Sequence, residues 1–107
     1  MKKKFKVRVK FDYYYADKSW YIVQYANYRF IPNWKNIVKY YYYTDAADIE
    51  TIMFSSHVDA VTFASKFKTI EDIQNYYKTI KKEYNQWKRR KEELYQKNKP
   101  IKITNII

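Results

Sequence analysis

The chain has 107 residues and a formal net charge of +11, from 22 Lys and Arg against 11 Asp and Glu, so it reads as one domain whose surface suits a polyanion: nucleic acid, a nucleoprotein or an anionic membrane. Apolar residues make up 47%, enough for a core and too many for wholesale disorder. The absence of Cys excludes disulfides, thiolate-held metals and thiol catalysis; the absence of Gly excludes phosphate-cradling Gly-rich loops and the Gly-x-Ser-x-Gly elbow; a single His excludes multi-His metal sites.

In chain order, Phe5, Val7, Val9 and Phe11 alternate with Lys4, Lys6, Arg8 and Lys10. Period-two alternation predicts a strand with one apolar and one cationic face. Tyr13, Tyr14 and Tyr15 continue it, and Ala16-Asp17-Lys18-Ser19 reads as a Gly-free hairpin loop. Trp20 to Ile31, dense in Trp, Tyr, Ile and Val, predicts a second, central strand. Pro32 to Asn36 turns the chain, and Ile37 to Tyr43 predicts a third strand, completing an antiparallel meander over 4–43. Residues 44–68 read as a mixed connector. Thr44 or Asp45 can cap a short helix carrying Ile49, Ile52 and Met53; Ser56 with Asp59 is a second capping pair; Val61, Phe63 and Phe67 fit a short strand equally well.

Thr69-Ile70-Glu71-Asp72 is a capping-box variant that opens a long helix. Ile73, Tyr77, Ile80, Tyr84 and Trp87 recur at steps of four and three, Lys91 breaks the series and Leu94 resumes it. One amphipathic helix over 69–97 is predicted, ending before Asn98 and Pro100. At ~1.5 Å per residue it is roughly 40 Å long, against about 30 Å for a domain of this size, so its last turns overhang the body or bind something. The tail, 98–107, alternates in part and fits a terminal edge strand. The expected fold is α+β: a single domain, 1–107, with an antiparallel sheet of three to four strands packed against one long C-terminal amphipathic helix, whose stripe faces Val7, Val9, Phe11 and Ile22.

Charge is segregated: +8 over residues 1–39, −4 over 40–65, +7 over 66–107. One cationic set is the row Lys2, Lys4, Lys6, Arg8 and Lys10. Alternate strand residues recur every ~6.6 Å, close to the phosphate spacing of a stretched single strand. The row is therefore a phosphate-binding stripe or a solvated edge guarded against aggregation. The other set is Lys81, Lys82, Lys88, Arg89, Arg90 and Lys91 on the helix, which Glu83, Glu92 and Glu93 offset only in part. The 14 tyrosines fill core volume in a chain with one Leu, or stack on bases.

Chemistry is sparse. Asp45, Asp48, Glu50 and Asp59 are the local carboxylates a metal-dependent nuclease would need, and they read as helix caps and counter-charges. His57 follows Ser55-Ser56 without a second partner for acid–base work. No catalytic residue, metal site or cofactor is assigned. No stretch approaches the ~18 apolar residues of a membrane span. The start, Met1-Lys2-Lys3-Lys4, lacks the apolar core of a signal peptide, so the cytoplasm is the expected location.

More than half of the residues are Lys, Asn, Ile, Tyr or Phe, whose A/T-rich codons imply a low-GC genome. The run Ala64-Ser65-Lys66-Phe67-Lys68-Thr69-Ile70-Glu71-Asp72 is similar to the Ala-x-x-Phe-x-Thr/Ser-x-Glu-Glu/Asp junction that opens a helix in small accessory proteins of phages and mobile elements of low-GC Gram-positive bacteria. In that run and in composition the chain resembles this class, which includes the anti-CRISPR proteins. The resemblance implies a non-enzymatic inhibitor that binds a host nucleic-acid machine, such as a CRISPR effector, in the bacterial cytoplasm. A basic chain cannot mimic DNA, so it would engage nucleic acid or a protein–nucleic acid complex through its cations. The alternatives are a stand-alone DNA/RNA-binding module, a carboxylate-metal nuclease and an oligomeric structural protein.

Overall fold

The computed structural model describes residues 2–15 and 17–97; the tail and its expected edge strand lie outside them. The described residues form β1 (Lys4–Tyr15), β2 (Lys18–Tyr28), β3 (Lys35–Asn36), β4 (Val38–Tyr42), β5 (Ala47–Thr51), α1 (His57–Ala64) and α2 (Ile70–Lys97). The fold is α+β: a three-stranded antiparallel sheet β1-β2-β3, a second two-stranded sheet β4-β5, and the long helix.

β1 and β2 pair from Lys4↔Tyr28 to Tyr15↔Lys18, so the hairpin turn is shorter than the sequence suggests. Asp17 occupies the left-handed region there, at φ 59°. Asp tolerates it because its short polar side chain can bond locally. The register slips once: Phe11 faces Tyr21, but Tyr13 faces Trp20. Asp12 is the extra residue of this bulge, and it turns Tyr13 onto the opposite face from Phe11.

β3 extends the sheet on the far side of β2, and the Ile37 N–H donates to the Val23 carbonyl at 2.9 Å. The chain then leaves the sheet. Residues 38–42, expected as the last strand of one meander, pair instead with 47–51, from Val38↔Thr51 to Tyr42↔Ala47. The segment carrying Ile49 is thus a strand and not a capped helix. Phe54 returns to β2 and exchanges two backbone hydrogen bonds with Tyr21, at 2.8 and 2.9 Å.

Ser56 caps α1 by accepting from the Asp59 N–H at 3.3 Å, and residues 61–64 are helical rather than extended. The box at the start of α2 forms as its residues suggest. The Asp72 carboxylate accepts from the backbone N–H groups of Lys68 and Thr69 at 2.7 and 3.0 Å, and the Thr69 hydroxyl accepts from the Asp72 N–H at 3.3 Å. The backbone donors hold the Asp72 carboxyl below its ordinary range.

The core is Val23, Ile37, Ile52, Ala60, Phe67 and Ile73, with Phe5, Val7, Val9, Tyr25, Phe63, Tyr76 and Tyr77 packed around it. Only the first turns of α2 therefore reach the sheet, through Ile73 and Tyr77. This corrects the expected seating of the whole stripe on β1 and β2. Phe11 is half exposed, and Ile22 lies on the other face of the sheet. Farther along the helix, Tyr84 stacks on Tyr40 and Trp87 tilts over Tyr42 with ring centroids 5.4 Å apart. Lys91 then pairs with Asp45 at 3.6 Å. The β4–β5 arm covers the apolar stripe that would otherwise overhang the body into water. Past that arm Leu94 and Tyr95 are exposed. No helix among the described residues is long and apolar enough to cross a membrane.

Candidate nucleic-acid interface

Residues paired across an antiparallel ladder share a face. Phe5, Val7 and Val9 pair with Asn27, Tyr25 and Val23 on the core side. Lys4, Lys6, Arg8 and Lys10 pair with Tyr28, Ala26, Gln24 and Ile22 on the outer side. The two helices pack against the core side, so the row of cations stands on the opposite face, exposed along β1, while Ile22, Gln24 and Ala26 beside it on β2 are buried. Lys4, Lys6, Arg8 and Lys10 are all exposed, as is Lys2 just before the strand. From Lys4 to Lys10 the row runs about 20 Å.

The outer face also gathers aromatic rings. The Asp12 bulge brings Tyr13 beside Trp20, with ring centroids 6.4 Å apart and planes 28° from parallel. The loop after β2 folds back so that the Arg8 guanidinium lies 4.0 Å over the Trp34 ring. Ile22 and Ala26, at 4% and 1% exposure, are buried on this face although they stand outside the core cluster. The same loop leaves Phe30 and Ile31 at 77% and 82% exposure.

Arg8 is held by more than its ring contact. Its Nε donates to the Gln24 side-chain carbonyl at 2.9 Å, and the Gln24 amide donates to Asn36 Oδ1 at 2.7 Å. The Asn36 amide continues the chain to Thr51 Oγ1 at 3.4 Å. Gln24 is buried, and both ends of its amide are satisfied. The network crosses the sheet from β1 to β3. It fixes the guanidinium plane while leaving the two terminal nitrogens without a partner among the described residues.

The helix cations divide. Lys88 lies 5.5 Å from the Tyr84 ring centroid and Lys91 lies 5.4 Å from that of Trp87. With its ion pair to Asp45, Lys91 belongs to the contact between helix and arm. Lys81, Lys82 and Arg89 line a shallow groove with Lys78, Asn85 and Gln86; Arg90 lies beyond it, beside Glu93. The strand row and the helix set are not brought onto one surface, because the sheet stands between them.

The acids of the middle segment are dispersed. Asp45 pairs with Lys91, Asp48 and Glu50 sit on β5, and Asp59 lies in the first turn of α1. Among the described residues no group of three or more His, Asp or Glu could hold a metal ion. His57 opens α1 and meets the Tyr21 ring edge-on, at 5.2 Å.

Sequence reasoning offered the tyrosines, Tyr13 among them, for stacking on bases, but missed Trp34 as a member of this surface. Trp34 left a trace: a large ring placed in a turn, beside Pro32 and Asn33, has no strand or helix to bury it. The chain matches no protein-family model, no curated protein and no solved structure.

Proposed function

We propose that this protein is a non-enzymatic nucleic-acid binder that holds a single strand along the outer side of β1. The observation that carries the reading is the exposed row Lys4, Lys6, Arg8 and Lys10 along the outer side of β1, flanked by Trp34 and by the Tyr13–Trp20 pair. Such a row neutralises successive phosphates and releases their counterions. The rings supply sequence-tolerant stacking surfaces for bases, worth about 1–3 kcal/mol each. A pre-oriented guanidinium adds a planar phosphate contact.

The test is fluorescence anisotropy with labelled single- and double-stranded DNA and RNA across a salt series. The expected result is preferential single-strand binding that weakens steeply with salt and falls in Lys4→Glu/Lys6→Glu. Binding that ignores both salt and this variant would overturn the reading.

A second reading is an anti-CRISPR-like inhibitor that engages RNA or DNA already held by a host protein in the bacterial cytoplasm. The exposed Phe30 and Ile31, in the same loop as Trp34, favour it, since exposed apolar side chains suit a protein neighbour. It predicts weak binding to naked strands and tight binding to a purified CRISPR effector loaded with its guide.

A further inference from the structure

On the core side of the sheet, beyond the region covered by α1, an open cleft of about 640 Å³ lies between the end of the sheet and the start of α2. Lys3, Lys35, Lys78 and Lys81 line it, and no carboxylate does. Tyr25 and Tyr77 form part of its wall. Among the described residues none of these four lysines has an ion-pair partner. Four unpaired ammonium groups around one cleft repel one another, and a bound anion removes that repulsion.

The cleft does not end at Lys81. Lys78 and Lys81 also line the next groove along the helix, about 320 Å³, which Lys82 and Arg89 continue. Cleft and groove share those two lysines and so form one basic track. From Lys78 to Arg89 the helix rises about 16 Å. A track of that length follows a chain of phosphates better than one compact anion.

This track and the row on β1 face opposite ways. Tyr25 points to the cleft and Gln24, its neighbour on β2, points to the outer face. The sheet separates the two surfaces.

We propose that the cleft and groove form a second single-strand site, so that one chain holds two strand segments at once, one on each side of the sheet. The inference rests on the nucleic-acid reading above, and its ligand is the same phosphodiester backbone.

The test is the binding stoichiometry of oligothymidylate and oligouridylate of ~6 nucleotides, near the short end of single-strand site sizes and too short to reach round the sheet. It is read by isothermal titration at a protein concentration where light scattering shows a monomer. The wild type is expected to take two oligonucleotides per chain. Lys78→Glu/Lys81→Glu and Lys4→Glu/Lys6→Glu should each take one, and the fourfold variant none. All four positions are exposed, and circular dichroism melts verify that the variants fold. A wild type that saturates at one, with Lys78→Glu/Lys81→Glu unchanged, overturns the second site and leaves the sheet reading intact. Saturation at one that only the helix variant abolishes overturns both the two-site inference and the sheet reading. No binding by the wild type overturns the nucleic-acid reading on which both rest.

Discussion

Tyr40 of β4 and Tyr84 of α2 stack with ring centroids 4.4 Å apart and planes 3° from parallel. The contact joins the arm to the helix midway between two others. The Tyr76 hydroxyl donates to the Val38 carbonyl at 2.8 Å on one side, and Lys91 pairs with Asp45 on the other. A double-mutant cycle of Tyr40→Ala and Tyr84→Ala should give a coupling of about 0.5–1.5 kcal/mol in denaturant unfolding. Amide exchange should rise across 38–51 in either single variant and stay unchanged in the paired part of β1 and β2. Equal loss of protection in both regions would show that arm and body unfold as one unit.

Arg8 and Lys are not interchangeable here. Arg8→Lys keeps the charge but loses the planar stack on Trp34 and the directed bond to Gln24. A stability loss of about 1 kcal/mol is expected, with the salt slope of strand binding preserved. Arg8→Ala leaves the buried Gln24 carbonyl without its donor and should cost about 1–3 kcal/mol. Thermal melts of the two variants side by side give the comparison.

The cations should separate by salt dependence. Lys6→Ala removes one phosphate contact and should reduce the slope of log K against log salt by ~0.7 for a single strand. Lys91→Ala should leave that slope unchanged, because its ammonium is engaged with Asp45 and the Trp87 ring. Its stability loss should stay below about 1 kcal/mol, since the pair is solvent-exposed. A slope that falls as far for Lys91→Ala as for Lys6→Ala would assign Lys91 to binding.

Thr69→Ala removes the cap of α2 and should cost about 1 kcal/mol. Asp72 makes the same junction acid-sensitive. Its carboxyl is held below the ordinary range by the Lys68 and Thr69 amides, so its contribution is present above the unfolded-state pKa of ~3.9. That contribution is lost as pH falls through the lower folded-state value. The urea midpoint should drop in acid less steeply in Asp72→Asn than in the wild type.

Tyr76 contributes to the alkaline limit. Burial chiefly, then the neighbouring Tyr77, pushes its hydroxyl up to about 12. Unfolding frees it to ionise near the ordinary ~10. The neutral phenol's stabilisation is therefore complete below that value and is lost as pH rises toward 12. Tyr76→Phe should flatten the decline in stability over this interval, measured by urea unfolding with tyrosinate absorbance recorded in parallel.

Two elements were legible because their signals are local. The alternation of Phe5, Val7, Val9 and Phe11 with cations places a strand and its faces. The stripe from Ile73 to Trp87, opened by Thr69 and Asp72, places the helix to within a residue at its start. Period and capping depend on neighbours a few positions away, so no knowledge of the rest of the chain is needed. The cationic row was legible for the same reason.

Tertiary structure decided what pairs with what. Residues 38–42 have strand character in any reading, but whether they pair with β2 or with 47–51 depends on which partner covers the far half of α2. The single-residue bulge at Asp12 reverses the face of Tyr13, and the path of the loop to Trp34 brings its ring over Arg8. The lysines of the cleft come from positions 3, 35, 78 and 81, and the fold alone makes them neighbours. The sequence by itself determined the periodic elements and the sign of their surfaces. The pairings between distant segments decided the rest: the arm covers the apolar stripe of a helix longer than the sheet, and the bulge and the loop to Trp34 assemble the ring-flanked face.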